Sequence, residues 1–442
     1  GLPLAMIVTT TFATWFGSET VLGIPAKFVN NGLNGVVEDP FGAGTCLILV
    51  GMFFADKLYK MNLLTISDYY RERFGRGVEV ACSLIIMLSY LGWVSAQVTA
   101  LGLVFNLLSA NAISIPVGMT IGVVSILAYT LFGGMWSVAV TDFIQMIILV
   151  SGLAILAVFA GNQAGGADKV IALAVSKDMF RFLPEPTVKD VLFFFAAAIT
   201  MMLGSIPQQD VFQRVMSANS LDAATKGPVI GGICYILFAF VPMFLVTSAL
   251  IIMPDQAADL LKDDPQKVLP TLVLEKMPFV MQVLFFGALL SAIKSTASAT
   301  LLAPSVTFTE NIWRQFRPRL GDKQELRTMR ITVLVFSTLV LAYAIRMQGT
   351  SIYEMVSGAY QVTLVGAFVP LLAGLYWPRA TTQGAIFSIV LGILAWVLFL
   401  ATPAGEAFPA QLAGVLAAGA GMLMGSLGPQ SIKNSHASHH AH

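Results

Sequence analysis

The sequence predicts an all-α membrane protein that crosses the bilayer many times. Of its 442 residues, 57% are hydrophobic and only 11% are charged, whereas a soluble domain has about 25% charged residues. Apolar runs of about 20 residues, the length of a membrane-spanning helix, recur along the whole chain. So few polar groups cannot cover a soluble surface, and the chain is therefore predicted to be a polytopic membrane protein.

Twelve apolar runs are predicted to be membrane spans. They lie at about 3–29, 41–60, 79–110, 113–132, 135–160, 190–217, 227–253, 278–310, 329–347, 351–377, 381–402 and 408–427. The segment TISDYYRERFG, between the second and third spans, is too polar to cross the bilayer and is predicted to be an interfacial helix. Two longer polar loops, at about 161–189 and 254–277, complete the extramembrane part.

The lysine and arginine residues predict the orientation of the chain. With spans alternating in direction, 15 of the 25 basic residues fall on one face of the membrane, mainly in the 56–76 and 311–330 loops. Because cytoplasmic loops carry the excess of basic residues, this face is expected to be cytoplasmic. The C-terminal tail lies on the same face, so we expect a multi-pass protein of the cell inner (plasma) membrane with a cytoplasmic C-terminus.

Two spans contain helix breakers in their middle. The first, TTTFATWFGSETVLGIPAKF, has Gly17, Gly23 and Pro25, and the sixth, TMMLGSIPQQDVFQRVM, has Gly204 and Pro207. Non-helical backbone at membrane depth is tolerated only where it faces protein or a cavity. Breaks at matching positions of two halves point to the binding site of a transporter. Incidental proline kinks are the alternative interpretation.

The two breaks lie five spans apart, so the second half of the chain enters the membrane from the opposite side. This spacing predicts two inverted repeats of five spans, at 1–160 and 190–377, joined by an extracytoplasmic loop at 161–189. Two accessory spans at 378–428 and a polar tail at 429–442 follow. The broken first and sixth helices are then expected to meet near the middle of the membrane.

Four segments resemble signatures of the solute:sodium symporter family. They are LTISDYYRERFG, GGMWSVAVTDFIQ, SIPQQDVFQRVMSANSLDAATKG and AGLYWPRATTQGAI, which occur in the family's order and cover most of the chain. The resemblance implies a leucine-transporter-like fold of two inverted five-helix repeats with accessory helices. It also implies sodium-coupled symport of a small polar organic solute, such as an amino acid, a carboxylate or a sugar, by alternating access.

A sodium site is expected between the first and eighth spans. Sodium, as a hard cation, prefers oxygen ligands, and unwound helices supply carbonyl oxygens, which the first break offers at Ala13 and Phe16. The resemblance implies that the family's Ala-x-x-Ser-Ser/Thr motif corresponds to Ala292, Ser295 and Thr296, with Ala292 as a carbonyl ligand and the other two as hydroxyl ligands. Alternatively, these small side chains only allow close helix packing.

Asp142 lies about two turns inside the cytoplasmic end of the fifth span, where a carboxylate is costly unless it is paired or binds a cation. The resemblance implies that this aspartate lies on the ion's route to the cytoplasm. In some family members it also helps to form a second sodium site with serines of the eighth span. The matching positions here are Ser295, Ser298 and Ala299, and Ala299 provides no hydroxyl, so the set differs from a complete second site.

Lys294, in SAIKSTASAT, is the one basic residue predicted to lie deep within a span, at a cost of about 3 kcal/mol on insertion scales. It shares a helix face with Ser298, so its ammonium is predicted to neutralise Asp142 as a tethered cation. Glu19, in the broken first helix, is the rival partner. Two alternatives remain: Lys294 releases and rebinds a proton in a proton-coupled symporter, or it is paired for structure alone.

A solute site is expected beside the two breaks, lined by polar and aromatic side chains. The predicted lining residues are Ser18, Glu19, Thr20, Tyr90, Trp93, Gln97, Ser205, Gln208, Gln209, Tyr360 and Gln361. A solute ammonium on Glu19 would favour an amino acid or an amine. A Glu19–Lys294 pair would leave sugars, urea-like solutes and carboxylates as options. Taken singly, each of these residues can also be a helix-packing group.

Asp210 and Arg214 follow the second break, one helical turn apart, toward the cytoplasm. Opposite charges at this spacing attract each other. They are predicted to form either a cytoplasmic gate or a cap on the helix end.

Other classes of function have less support from the sequence. It contains no metal-ligand cluster, nucleophile–base pair or phosphate loop, and all four histidines lie in the terminal SHASHHAH. Neither an enzyme nor a cofactor is therefore expected; Na+ is the expected coupling ion, with H+ as the alternative. The near-zero net charge gives no sign of a nucleic-acid partner. The remaining alternative to a transporter is a membrane-embedded solute-sensing domain of a signalling protein.

Overall fold

The computed structural model describes residues 1–132, 135–317 and 321–435. Within these ranges the chain is almost entirely helical, and the described residues contain no β-strand beyond an isolated bridge between Leu2 and Ala218. The prediction of an all-α protein is therefore confirmed. Gly133 and Gly134, which open the motif GGMWSVAVTDFIQ, and the end of the polar tail, 436–442, lie outside the described residues.

Twenty-one α-helices follow one another along the described residues. The first eleven are α1 Leu4–Trp15, α2 Ile24–Asn31, α3 Ala43–Leu49, α4 Ala55–Lys60, α5 Ile66–Phe74, α6 Arg76–Leu108, α7 Ile115–Leu131, α8 Met135–Gln163, α9 Ala167–Ser176, α10 Val188–Gly204 and α11 Gln209–Met216. The others are α12 Leu221–Ile252, α13 Pro254–Asp263, α14 Val268–Lys276, α15 Phe279–Asn311, α16 Asp322–Arg346, α17 Ile352–Thr363, α18 Val369–Tyr376, α19 Thr382–Ala401, α20 Ala404–Ala407 and α21 Ala410–Leu427.

Most of the predicted spans are long apolar helices. Among the described residues nine helices, some continued through π-helical turns, are long and apolar enough to cross a membrane, and the bent pair α10 and α11 makes a tenth. The two other predicted spans, 3–29 and 113–132, contain the shorter apolar helices α1 and α7. The polar loops 161–189 and 254–277 are also partly helical, because α9, α13 and α14 lie in them. The boundaries of the two repeats stay a prediction.

Both predicted helix breaks are present. In the first span, α1 ends at Trp15, Phe16 has non-helical dihedral angles (φ −87°, ψ 75°), and a π-helical turn at Glu19–Gly23 leads into α2. Pro25 lies in the first turn of α2 rather than in the break. In the second, α10 ends at Gly204 and α11 begins at Gln209 with a bend of 44°.

The segment TISDYYRERFG forms α5, a short helix that is tied to the rest of the protein. Thr65 and Asp68 form a capping box at its start, which satisfies two backbone N–H groups at the helix N-terminus. Further along, the Tyr70 hydroxyl donates to the Ala367 carbonyl at 2.6 Å, and Arg73 donates to the Ala380 carbonyl at 2.8 Å. These bonds hold α5 against the region around α18.

Candidate functional site

The first-helix break lies directly against the eighth predicted span, α15. A Cβ atom added to Gly17 would be 2.7 Å from Thr296 Oγ1, so the glycine is needed for this approach. The Thr296 hydroxyl is buried and has no hydrogen-bond partner among the described residues. The backbone hydrogen bonds described at the break do not use the carbonyl oxygens of Ala13 or Phe16. They run from Phe16 N–H to the Phe12 carbonyl and from the N–H groups of Thr20 and Val21 to the Gly17 carbonyl.

Oxygen atoms without a protein partner thus collect where the sodium site was expected. The break supplies carbonyl groups, and α15 supplies the Thr296 hydroxyl. Buried polar atoms are normally satisfied, so this arrangement suits an oxygen-preferring cation. The assignment of Ala13, Phe16, Ala292, Ser295 and Thr296 as sodium ligands stays a prediction.

Asp142 joins three elements at one carboxylate. The Thr10 hydroxyl on α1 donates to one of its oxygens at 2.7 Å, and the Ser295 hydroxyl on α15 donates to the other at 2.5 Å. The Asp142 side chain is fully buried on α8. It is therefore held next to the break-facing residues of α15, and the hydroxyl that it contacts is Ser295. Ser298, the other predicted serine of this set, is buried one turn further along α15.

Glu19 is anchored on α6 by two of the predicted solute-site residues. Its carboxylate accepts hydrogen bonds from Trp93 Nε1 at 3.0 Å and from Gln97 Nε2 at 2.6 Å. Gln97 Oε1 in turn accepts the backbone N–H of Ser18 at 2.9 Å. These contacts bring the first break and the third predicted span together, as the sequence predicted. Both donors to the carboxylate are neutral, so Glu19 has no positively charged hydrogen-bond partner among the described residues.

Aromatic rings surround this carboxylate. Trp93 stacks on Tyr90, with ring centroids 6.0 Å apart, and its ring lies 5.4 Å from that of Tyr360 on α17. Trp15 meets both Trp93 at 6.3 Å and Tyr235 at 6.5 Å in edge-to-face contacts. The Tyr235 hydroxyl lies 3.0 Å from Thr20 Oγ1. Aromatic rings close to a buried carboxylate are a composition suited to organic cations.

The second break places another carboxylate against the same aromatic side chains. Asp210, at the start of α11, accepts hydrogen bonds from Trp15 Nε1 at 3.0 Å and from the Tyr90 hydroxyl. Gln208 donates to Ser89 on α6 at 2.8 Å and to Thr363 on α17 at 3.4 Å. The two breaks are thereby connected through Trp15 and α6, and Ser205 is buried beside Gly204.

Two predicted solute-site residues have other roles. Gln209 accepts the backbone N–H of Ile66 on α5 at 2.8 Å, so it fastens the interfacial helix to α11. Gln361 accepts a hydrogen bond from Trp396 on α19 at 3.0 Å. Gln209 directly precedes Asp210, and Gln361 directly follows Tyr360. Neighbouring residues of a helix point about 100° apart. Sequence proximity therefore did not place them in the site.

The predicted tether between Lys294 and Asp142 is wrong. The Lys294 side chain is exposed, and its Nζ lies 4.8 Å from the centroid of the Tyr129 ring on α7. Because Ser295 faces Asp142, the preceding residue is rotated about 100° away from it. The rival pairing with Glu19 is also wrong, since Glu19 is held by Trp93 and Gln97. Proton coupling through Lys294 stays an alternative prediction.

Arg214 is a buried basic group whose contacts differ from the prediction. It is only 1% exposed, and none of its three guanidinium nitrogens has a hydrogen-bond partner in the described part of the chain. The predicted ion pair with Asp210 is therefore not formed. Arg214 is nevertheless close enough to Asp142 and Asp210 to act on both electrostatically.

Thr10, Trp15 and Tyr235 are members of the site that sequence reasoning missed. Thr10 and Trp15 lie in the same TTTFATWFG run as the predicted break, so a search for polar and aromatic residues one or two turns before the break would have found them. Tyr235 lies in an apolar span far from either break in sequence. No sequence signal marks it, because only packing brings α12 beside α1.

The two ends of the first span differ in structure. At its start, Leu2 N–H donates to the Ser217 carbonyl at 2.6 Å, and Asn219 N–H donates to the Leu2 carbonyl at 2.8 Å. At the other end, a cavity of about 420 Å³ lies among α2, α10 and α17. The N-terminal end of the first span is thus joined by backbone hydrogen bonds to the residues that follow α11. The opposite end, near the 161–189 segment, borders a cavity.

Comparisons of the sequence point to one family of transporters. The sequence model of the Sodium:solute symporter family matches residues 2–392. High affinity choline transporter 1 of Homo sapiens is 27% identical over 90% of this chain and 68% of its own length. Sodium/glucose cotransporter 4 of Danio rerio is 23% identical over 86% of this chain and 62% of its own length. The chain thus spans about two thirds of the length of these relatives.

Solved structures share the fold. A Na+-coupled sialic acid symporter in a substrate-bound, outward-open state superimposes with a TM-score of 0.81 at 20% identity, covering 98% of this chain and 92% of that one. A nucleobase-cation-symport-1 family transporter gives 0.64 at 12% identity, covering 96% and 91%. At such low identity these structures support the leucine-transporter-like fold alone.

Proposed function

Because the chain belongs to the Sodium:solute symporter family, we propose that it carries a small organic ammonium solute into the cell together with sodium by alternating access. The family is one of membrane transporters, so the protein is not an enzyme. An organic ammonium is a narrower class than small polar solutes in general. The environment of Glu19 is the observation that supports it.

Glu19 is only 3% exposed, and its two described hydrogen-bond donors, Trp93 and Gln97, are both neutral. A buried carboxylate is costly unless its charge is compensated. No basic side chain among the described residues forms an ion pair with it. A solute ammonium would supply the missing positive charge. The rings of Trp93, Trp15 and Tyr360 would add cation–π attraction.

The relatives give this solute class further support. Several of the curated relatives are named high affinity choline transporters, and choline carries a quaternary ammonium. Other relatives are named sodium/glucose and sodium/myo-inositol cotransporters, whose solutes are neutral. A neutral polyol would leave the charge of Glu19 without a partner, and for this reason we favour the ammonium.

Sodium is proposed to bind at the break through the carbonyl oxygens of Ala13, Phe16 and Ala292 and the hydroxyls of Ser295 and Thr296. Asp142, which contacts Ser295, would receive the ion on its way to the cytoplasm, with Ser298 next to this route. Gly17 adjoins both Thr296 and the Glu19 carboxylate. Sodium bound on one side of Gly17 would therefore hold Ser18 and Glu19 in position for the solute, and such a shared element couples two ligands.

The proposed cycle starts from the conformation that is seen. The chain around Leu2 and Ser217 is closed on the side that we infer to be cytoplasmic, where most basic residues lie. The cavity on the opposite side then opens toward the exterior. Alternating access requires the hydrogen bonds of Leu2 and Gln209 to break when the cavity closes.

Uptake into proteoliposomes tests the proposal. Purified protein is reconstituted, and uptake of radiolabelled choline and glucose is measured under a sodium gradient, a proton gradient and no gradient. We expect choline to accumulate only with the sodium gradient. Accumulation under a proton gradient alone would favour proton coupling, and glucose accumulation would refute the ammonium class. Binding without uptake under any gradient would indicate a sensory domain.

A further inference from the structure

The cavity near the 161–189 segment lies outside the site described above. Residues from five parts of the chain line it: α2, the turns between α2 and α3, the loop between α9 and α10, α10 itself, and α17. Its volume of about 420 Å³ is within the range of small-molecule sites. We propose that this cavity is a second, outer binding site for an organic ammonium, with Glu38 as its anionic group; it rests on the proposed function for the solute class.

Glu38 is the buried, unsatisfied group of this cavity. Its side chain is 6% exposed, and it lines the cavity wall. Its carboxylate oxygen Oε1 has no hydrogen-bond partner among the described residues. An unpaired carboxylate oxygen at this depth costs more than an exposed one. It is therefore a strong acceptor for a cation that enters the cavity.

The charges around the cavity favour a cation. Four acidic side chains line it, and only two basic ones do, Lys27 and Arg181. Arg181 forms an ion pair with Glu185, so these two charges neutralise each other. Glu38, Asp190 and Glu354 then face a single lysine. Clefts lined by one sign of charge concentrate the opposite ion.

The aromatic lining and the size favour an organic cation over bare sodium. The Nζ atom of Lys27 lies 5.8 Å from the centroid of the Tyr353 ring, so an ammonium already fits over this ring. No salt bridge from Lys27 to Glu38 is formed within the described ranges. A carboxylate beside an aromatic face is suited to an ammonium. Lys27 would then compete with the ligand for the Glu38 carboxylate and the Tyr353 ring.

A continuous set of hydrogen bonds leads from this cavity to the central site. Asp39, next to Glu38 in sequence, donates its N–H to the Tyr353 hydroxyl at 3.3 Å and accepts a bond from the Tyr235 hydroxyl at 2.5 Å. Tyr235 contacts Thr20, the neighbour of Glu19, at 3.0 Å. An ammonium released from Glu38 would thus remain near carboxylates as it moves inward. The outer site is a loading position for the solute.

Equilibrium binding of tritiated choline to the purified full chain in nanodiscs tests this inference. Wild-type protein is expected to bind choline at two sites, one that requires sodium and one that does not. Glu38→Gln should weaken the sodium-independent component at least about tenfold, since the attraction between the carboxylate and the quaternary ammonium is lost, and should leave the sodium-dependent component in place. Glu19→Gln should have the opposite pattern.

Two further measurements sharpen the test. Lys27→Met should tighten the sodium-independent component, because the competing ammonium is gone. The neutral isostere 3,3-dimethylbutan-1-ol should not displace choline from it. The inference is overturned if Glu38→Gln leaves both components unchanged, if the neutral isostere competes as well as choline, or if wild type lacks the sodium-independent component. Loss of the sodium-dependent component from wild type would instead refute the proposed function, and retained sodium-dependent binding shows that Glu38→Gln is folded.

Discussion

The Ser295 hydroxyl donates a hydrogen bond of 2.5 Å to Asp142, and this bond joins α15 to α8. The family resemblance implies that Ser295 is a sodium ligand and that Asp142 lies on the route by which the ion leaves. The direct contact means that an ion near Ser295 is already beside the carboxylate. Thr10 binds the other oxygen of Asp142 at 2.7 Å, so α1 takes part in the same junction.

Ser295→Ala is expected to destabilise the protein by roughly 1–3 kcal/mol, because it leaves a buried carboxylate oxygen without its donor. Ser298→Ala, one turn away and equally buried, is the control and should cost less. Thermal unfolding in detergent measures both. A double-mutant cycle of Ser295→Ala with Asp142→Asn should give a clear coupling energy; additive effects would contradict the role given to this bond.

Thr296→Ala is expected to raise the half-saturating sodium concentration about tenfold, the effect of roughly 1.4 kcal/mol, with little loss of stability. The reason is that the Thr296 hydroxyl has no protein partner among the described residues and is free to bind an ion. Thr300→Ala is the matched control, since Thr300 is buried on the same helix but its hydroxyl donates to the Thr296 carbonyl at 2.7 Å. Sodium titrations of choline uptake compare the two; equal effects would argue against a sodium ligand.

Gly17→Ala is expected to abolish sodium-dependent choline binding. A Cβ there would lie 2.7 Å from both Glu19 Oε2 and Thr296 Oγ1, so it would displace a group of each proposed site. Gly287→Ala on α15 is the control, because its Cβ would meet no atom within 4 Å and alanine favours a helix. Normal binding by Gly17→Ala would mean that the break does not lie between the two ligands.

Lys294→Met is expected to keep sodium-driven uptake, with a half-saturating sodium concentration within about twofold of wild type, because the cation–π contact that it loses is exposed and weak. The lysine contacts Tyr129 and not the ion route. Uptake assays at graded sodium concentrations measure this. Loss of sodium dependence would contradict this expectation and support a role for Lys294 as a tethered cation.

Arg214→Met is expected to lower the half-saturating sodium concentration severalfold, the effect of roughly 1 kcal/mol of removed repulsion. Arg214 is buried, and its positive charge acts on Asp142, where it opposes a sodium ion. Lys294→Met removes the same charge at an exposed position and serves as the control. Unchanged or weaker sodium affinity in Arg214→Met would show that the guanidinium does not oppose the ion.

Several features were determined by the sequence alone. The apolar runs of about 20 residues predict membrane-spanning helices, which satisfy the backbone hydrogen bonds that lipid does not provide. Gly17 in the first span, and Gly204 and Pro207 in the sixth, mark the two breaks, because glycine and proline are unfavourable in a helix interior. The motif around Ser295 and Thr296 identified the part of α15 that meets the first break.

Only the tertiary structure decided which groups pair with each other. Lys294, Gln209 and Gln361 are close in sequence to site residues but contact other parts of the protein, whereas Arg214, Trp15 and Tyr235 belong to the buried centre. The rotation of each helix about its axis and the choice of its neighbours depend on the packing of many segments at once. A pattern within one segment carries no information about them.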